Sequence, residues 1–288
     1  MPTAISLARL VAAPLALFCV LVALSATPAL AQGGEPEFYD TPYAYGQWNL
    51  GRRLNDTKLL FCVDKRDPDA EVATAIAEAI AGALLLEPEL YSVESGYEIE
   101  DFTRVYALLL EHCDIHMGFK LIPDGYPEWV TVTRAYYQTQ YSFVTTDPSL
   151  QRLGDLPPGR PIGATIGTSA HLRLVAYLTS LPAAQRWRVF PFGTSDQTLR
   201  ALLEGTVDIA LTWAPDIWAR TRSDAGSANL RIVDSAPLPP ETLGVGAIML
   251  QHNTYLRVAL DEAIGELLAD GTIQSIIDQY EFPAATPR

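Results

Sequence analysis

The stretch Leu267-Leu-Ala-Asp-Gly-Thr-Ile-Gln-Ser-Ile276 lies near the end of the chain and joins one helical pattern to the next. Upstream of it, apolar residues at helical spacing predict a helix over 256–269 with one buried face. These residues are Leu256, Leu260, Ile264 and Leu267 or Leu268. Gly271 follows where a helix end favours a residue that tolerates a left-handed backbone. An uncharged strand over 243–250 precedes the helix, so the chain ends as strand, long helix and short helix.

The other end of the chain indicates export. Residues 10–31 are almost wholly apolar, with Arg9 before them and the small-x-small sequence Ala29-Leu-Ala31 at their end. This pattern predicts a cleaved secretory signal peptide over residues 1–31 and therefore a periplasmic protein. A transmembrane anchor is the alternative, but Pro14 and Pro28 interrupt the run. No later segment is long and apolar enough to span a bilayer, so we expect a protein that does not span the membrane.

Charge and motifs exclude several functions. The 288 residues carry a formal net charge of −14, which argues against a nucleic-acid partner. No Ser-His-Asp order, metal signature or phosphate-binding loop is present, so we expect neither an enzyme nor a cofactor or metal. The segment 32–55 is aromatic yet irregular, and we interpret it as an N-terminal arm packed on its own lobe. A docking surface for a partner protein is the alternative. Its aromatic residues are Phe38, Tyr39, Tyr43, Tyr45 and Trp48.

The middle of the chain alternates predicted strands and helices, which implies parallel sheets flanked by helices. The first strand, 59–63, precedes a helix that Asp69 is expected to cap, and a second helix leads into a strand at Asp114. The helices are marked by Val72, Ile76, Ile80 and Leu84, and by Phe102, Val105, Leu108 and Leu109. An extended run over 136–144 follows. Further strands are predicted at 161–167, 188–190, 207–213 and 232–233, and further helices at 170–181 and 197–204.

Several of these stretches together resemble bacterial extracellular solute-binding proteins of family 3. They are Leu59-Leu-Phe-Cys-Val-Asp64, Leu108-Leu-Leu-Glu-His-Cys-Asp-Ile115, Thr133-Arg-Ala-Tyr-Tyr137, Tyr141-Ser-Phe-Val144, Gly163–Ser169, Leu203-Glu-Gly-Thr-Val-Asp-Ile209 and the closing Leu267–Ile276. The resemblance spans about residues 57–282. It implies an α/β, two-lobed periplasmic binding protein fold, in which each lobe is a mostly parallel sheet flanked by helices.

The same resemblance implies the domain organisation and the function. Lobe 1 is expected to comprise 56–144 and a return segment, 243–288, with lobe 2 at 145–242. Two extended hinge passages near Thr145 and Leu243 would join the lobes around a cleft. A small polar ligand would bind in that cleft without being transformed, and an ABC permease would be the client. A dehydratase-like enzyme on this fold is an alternative.

A narrower resemblance concerns the binding-protein-like partners of quinoprotein alcohol and methanol dehydrogenases. It depends on Cys62-Val-Asp64, Cys113-Asp114, Gly125-Tyr126, the segment 207–215 and the ending Tyr280-Glu-Phe-Pro283. The chain departs from that branch at Lys65-Arg-Asp-Pro68, which replaces an Asn- and Phe-containing loop. This resemblance implies a second candidate function, as an accessory binding partner of a periplasmic quinoprotein dehydrogenase.

Cys62 and Cys113 are the cysteines that follow the predicted signal peptide, and export makes a disulfide bond between them the default. In the family that the chain resembles, they lie on neighbouring parallel strands. A metal site is the alternative, because His112 and His116 are close to Cys113 in sequence.

The predicted ligand-binding residues come from several segments. They are Asp64, Gly118, Tyr126, Trp129, Gly167, Thr168, Ser169, Thr212 and Trp213. The segment 167–169 precedes a helix, so its backbone N–H groups favour an anionic or polar group, although plain capping by Thr168 or Ser169 explains it as well. Asp64 ends a strand, where open α/β sheets present binding groups, or it caps a turn. Tyr126, Trp129 and Trp213 offer aromatic walls, or pack in the core.

Amino-acid-binding relatives supply an Arg for the α-carboxylate from the segment before the crossing strand. Residues 123–130 contain no Arg. An ordinary amino acid is therefore a poor candidate for the ligand.

Overall fold

The computed structural model of this chain describes residues 57–94 and 102–287. The predicted signal peptide (1–31) and aromatic arm (32–55) lie outside the described residues. All the described residues fall in one unit of the chain, 41–288. No helix among them is long and apolar enough to cross a membrane.

Strands and helices alternate along the described residues. The strands are β1 (Lys58–Asp64), β2 (Glu87–Val93), β3 (Ile115–Lys120), β4 (Val130–Val132), β5 (Tyr137–Thr145), β6 (Pro161–Thr165), β7 (Arg188–Phe192), β8 (Ile209–Trp213), β9 (Arg231–Val233) and β10 (Glu241–Leu250). The helices are α1 (Ala70–Ala83), α2 (Phe102–Glu111), α3 (Ser169–Ser180), α4 (Ser195–Leu203), α5 (Ala214–Ser223), α6 (Thr254–Ala269) and α7 (Thr272–Gln279). Short 3₁₀ turns lie at Leu153–Asp155, Ala183–Gln185 and Ala225–Ser227.

The described strands form one mixed, ten-stranded sheet. Their order is β2-β1-β3-β10-β5-β8-β6-β7, with β4 beside β10 and β9 beside β5. Pairing is parallel at the two ends of the sheet, among β2, β1 and β3 and among β7, β6 and β8. It is antiparallel in the middle, where β10 and β5 run from one end to the other. We call the β2-β1-β3 end the first half of the sheet and the β8-β6-β7 end the second half.

The change from one half to the other occurs within β5. This strand pairs with β10 from Tyr137 to Tyr141, and with β8 from Tyr141 to Val144. Glu241 of β10 lies opposite Tyr141. Of the described strands, only β5 and β10 therefore connect the two halves across the middle of the sheet.

The C-terminal pattern folds as the sequence predicts. The apolar face of α6 is buried, and both α6 and α7 pack against α1. Gly271 lies between the two helices with φ of +83°, in the left-handed region that glycine tolerates best. The return of the chain to the first half of the sheet therefore completes the hydrophobic core around α1.

The predicted disulfide bond is confirmed. Cys62 and Cys113 are bonded, with their Cα atoms 5.6 Å apart, and both side chains are fully buried. Cys62 is on β1, and Cys113 lies two residues before the start of β3, which is parallel to β1. Because both sulfurs are used in the bond, Cys113 is not a metal ligand beside His112 and His116. Among the described residues, no group of three or more His, Cys, Asp or Glu side chains is placed to hold a metal ion.

One local prediction was wrong, and three elements were not predicted. Asp69 precedes α1 but its side chain makes no cap hydrogen bond; the carboxylate instead accepts one from Tyr137. The strand β2 was not predicted from the sequence; it is mostly exposed because it lies at the edge of the sheet. The three-residue strand β4 and the helix α5, which begins directly after β8, were not predicted either.

Candidate functional site

The predicted site residues of the first half have well-defined contacts. Asp64, at the end of β1, accepts hydrogen bonds from Arg66, from Nε at 3.1 Å, from Nη2 at 2.8 Å and from the backbone N–H at 2.9 Å. A ligand would have to compete with this guanidinium for the Asp64 carboxylate. Its assignment as a ligand-binding residue stays a prediction.

Tyr126 and Trp129 belong to one aromatic cluster. Both rings contact Phe102 edge-on, at 5.9 Å and 6.3 Å between centroids, and Trp129 also packs on Tyr106 at 4.8 Å. The Tyr126 hydroxyl donates to the backbone carbonyl of Lys120. The cluster packs against the hydrophobic core that contains the disulfide bond. Core packing therefore accounts for these two rings, and their role in binding stays a prediction.

Gly118 lies beside a group of acids. It has φ of +90°, and its N–H donates to the Tyr136 hydroxyl at 2.9 Å. A Cβ atom at this position would lie 3.4 Å from a carboxylate oxygen of Asp67 and 3.8 Å from one of Asp69. Glycine is thus required for its backbone conformation, and it leaves the carboxylates close to the strand.

The segment 167–169 folds as a helix N-terminus. The Thr168 hydroxyl accepts from the His171 N–H at 3.1 Å and donates to the Thr165 carbonyl at 2.8 Å. Thr168 is therefore the N-cap of α3, as the capping interpretation requires. Gly167 has φ of +80° with open space around it, and the buried Ser169 hydroxyl has no hydrogen-bond partner among the described residues. A role for this segment in binding stays a prediction.

Thr212 and Trp213 end β8 in the second half of the sheet. The Trp213 ring packs on Tyr141, with 4.9 Å between centroids. Thr212 is fully buried, and its hydroxyl lacks a hydrogen-bond partner among the described residues. The ammonium group of Lys120 lies 4.9 Å from the Trp213 centroid and 6.0 Å from the Tyr141 centroid. Lys120 also hydrogen-bonds the Tyr141 side chain. A cation at the end of β3 thus rests against two rings at the middle and the second half of the sheet.

Two carboxylates interact electrostatically with this lysine. Asp69, just before α1, is buried and accepts a hydrogen bond from the Tyr137 hydroxyl at 2.5 Å. Burial raises the pKa of Asp69, against the opposing effects of the Tyr137 hydrogen bond and the Lys120 charge. Asp216 lies in the first turn of α5 and is partly exposed.

Burial raises the pKa of Asp216, as it raises that of Asp69, and it is the largest cause of the shift. A hydrogen bond from Ser195 and the Lys120 charge lower this pKa, and the charge of Asp69 raises it. Asp69 and Asp216 therefore interact electrostatically with Lys120 and with each other across the middle of the sheet.

Trp213 and Gly118 were predicted as site residues from the sequence, whereas Lys120, Asp69, Asp216 and Tyr141 were not. The sequence contained partial indications of these residues. Lys120 and Trp213 both end strands, where open α/β sheets place their binding groups. Asp216 follows Pro215 in the first turn of a helix, where an acid is favourable on general grounds, so its position alone did not indicate binding.

No protein-family model and no curated protein sequence matches this chain. Solved structures do match. Substrate-binding domain 2 of Lactococcus lactis GlnP, in its open conformation, is 20% identical with a TM-score of 0.59, and the match covers 80% of this chain and 97% of that domain. A histidine kinase sensor domain with similarity to periplasmic binding proteins is 16% identical, with a TM-score of 0.57 and coverage of 80% and 98%.

A third match is the periplasmic binding protein of an arginine transport system from Legionella pneumophila. It is 15% identical, with a TM-score of 0.55 and coverage of 78% and 99%. Identities this low establish the fold alone. The predicted fold class, an α/β two-lobed periplasmic binding protein fold, is therefore confirmed.

Proposed function

We propose that this protein binds a small polar solute in the cleft between the two halves of its sheet, and that it releases the solute unchanged. The observation that carries the proposal is the convergence of Lys120 and Asp69 from the first half with Trp213 and Asp216 from the second. Burial of an unpaired charge is costly, so charged side chains rarely converge inside a protein without a functional reason.

The topology supports a cleft that opens and closes. Among the described strands, only β5 and β10 join the halves, and β5 changes its partner at Tyr141, beside the convergent side chains. The change of partner at Tyr141 suggests bending near 138–141 and 241–244, which refines the predicted boundaries at 144/145 and 242/243. Rotation about two strands is a common way for binding proteins to enclose a ligand.

Export and a transport client complete the proposal. The apolar run at 10–31 supports a signal peptide and a periplasmic location. The structural relatives include a substrate-binding domain, a transport-system binding protein and a sensor domain, which supports a binding role. An ABC permease is the client that we propose. A periplasmic quinoprotein dehydrogenase is the client that the narrower sequence resemblance implies, and no contact among the described residues favours it.

The first experiment is a solute screen by thermal unfolding, started with molecules that mass spectrometry detects on the purified protein. A solute at one hundred times its Kd should stabilise the folded state by about 2.7 kcal/mol. This corresponds to a rise in Tm of roughly 5–10 °C for a chain of this size. Trp213→Leu should remove the rise, whereas Tyr255→Leu, a change to an exposed aromatic residue, should keep it.

The result that would contradict solute binding is also specific. If no solute raises the Tm and a quinoprotein dehydrogenase is recovered with the protein from periplasmic extract, the docking role is correct instead. If a solute is recovered chemically altered, the dehydratase-like alternative is correct.

A further inference from the structure

The contacts of Lys120 define a chemical class of ligand. Its ammonium group lies over the faces of Trp213 and Tyr141, at 4.9 Å and 6.0 Å from the centroids. Aromatic faces carry negative electrostatic potential, so they attract cations and repel anions. The two rings belong to β8 and β5, and the lysine to β3. The Lys120 ammonium group therefore contacts rings of the middle and the second half of the sheet from its position in the first half.

The acids around the rings favour the same class. Asp69 and Asp216 both interact electrostatically with Lys120. The Tyr137 hydroxyl holds the Asp69 carboxylate, and Asp216 lies three residues after Trp213. Glu241, opposite Tyr141 on β10, is paired with Arg173 at 3.4 Å. An anionic group brought against the rings would be repelled by the charges of Asp69 and Asp216 as well as attracted by the lysine.

The Lys120 side chain is flexible, so its ammonium group can move away from the two rings. Its ammonium group sits on a flexible four-carbon stem, and Lys120 is the last residue of β3. The stem can turn toward solvent without a change in the strand pairing. The rings and carboxylates would then be available to another cation of similar size.

Building on the proposed function, we infer that the cleft binds its solute through a positively charged amine, and that this amine replaces the Lys120 ammonium against the faces of Trp213 and Tyr141, within the field of the Asp69 and Asp216 carboxylates. In this structure, Lys120 occupies the place that we assign to the amine of the solute. The solute is an organic cation, and its amine is recognised by ring faces and carboxylates.

The test compares three probes of similar size on the purified protein. The probes are n-butylammonium, n-butanol and n-butyrate, measured by ligand-observed NMR and thermal unfolding. The unsubstituted protein should prefer n-butylammonium to both others. Lys120→Ala removes the competing ammonium and should bind n-butylammonium at least about tenfold more tightly.

Two variants control for space and for charge. Lys120→Met keeps the volume of the stem without its charge, so it should gain less affinity for n-butylammonium than Lys120→Ala. Asp216→Asn in the Lys120→Ala protein should weaken that binding about tenfold, because it removes one carboxylate. Circular dichroism establishes that each variant is folded, and Lys120→Met serves as the test protein if Lys120→Ala is not.

The outcomes separate this inference from the proposed function. A preference for n-butyrate, lost in Lys120→Ala, would show that Lys120 is an anion-binding group and would overturn the inference while solute binding stands. Equal affinity of the unsubstituted and Lys120→Ala proteins for n-butylammonium would also overturn it. Failure of the solute screen, by contrast, would overturn the proposed function whatever the alkylammonium result.

Discussion

Reduction of the Cys62–Cys113 bond should lower the free energy of unfolding by about 4 kcal/mol. The bond joins residues 51 positions apart, and the chain-entropy relation gives about this value for a loop of that length. Both sulfurs are fully buried against the core that includes Val105 and Ile248, and reduction removes the constraint that the bond places on the unfolded chain. The effect is therefore expected mainly in the unfolded state.

Urea unfolding of the oxidised and the reduced protein measures this difference. The double variant Cys62→Ala with Cys113→Ala is the control, because reductant should not change its unfolding curve. Comparison within each protein avoids the separate cost of the deleted sulfur atoms. Free-thiol labelling of the unfolded, unreduced protein, after removal of the segment that contains Cys19, should find no thiol. Two labelled thiols per chain, or a stability loss below about 1 kcal/mol on reduction, would refute the reasoning.

Three further predictions concern single residues. Burial raises the pKa of Asp216 above its ordinary 3.8, so the folded state binds the proton more tightly, and the protein should lose stability as pH rises from 3.8 through the raised pKa. In urea unfolding, Asp216→Asn should make stability less dependent on pH, and an unchanged pH dependence would contradict this prediction. Gly118→Ala should destabilise the protein by about 1–2 kcal/mol because φ is +90°. Gly82→Ala in α1, where no atom lies within 4 Å of an added Cβ, should instead stabilise it by about 0.5–1 kcal/mol. Similar effects at the two positions would contradict this prediction. Thr168→Ala should cost about 1 kcal/mol through loss of the α3 cap and leave the Kd for the solute unchanged; a large rise in Kd would instead make the segment 167–169 part of the site.

The elements that the sequence predicts well have local causes. The apolar spacing of α6, the buried run of β1 and the left-handed glycine after α6 each follow from a few neighbouring residues. The edge strand β2 does not, because only Val93 in it is buried and it contains Pro88. Its strand conformation comes from pairing with β1, which a local pattern does not report.

The candidate site was less predictable for a related reason. Lys120 and Asp216 are far apart in sequence and meet only when the sheet forms. Asp69 satisfies the local rule for a helix cap, yet Tyr137, 68 residues away, engages its carboxylate. The aromatic residues Trp129 and Trp213 look equivalent in the sequence. Both rings pack in hydrophobic clusters, and only the fold shows that Trp213 also lies beside the Lys120 ammonium group.

Small-angle X-ray scattering with and without solute tests the central claim most directly. The claim is that the two halves of the sheet close around a bound solute by rotation about β5 and β10. The radius of gyration should fall when the solute identified in the screen is added to saturation, and Trp213→Leu should abolish the fall. An unchanged radius of gyration under saturating solute would contradict closure of the cleft and favour a rigid protein that docks onto a partner.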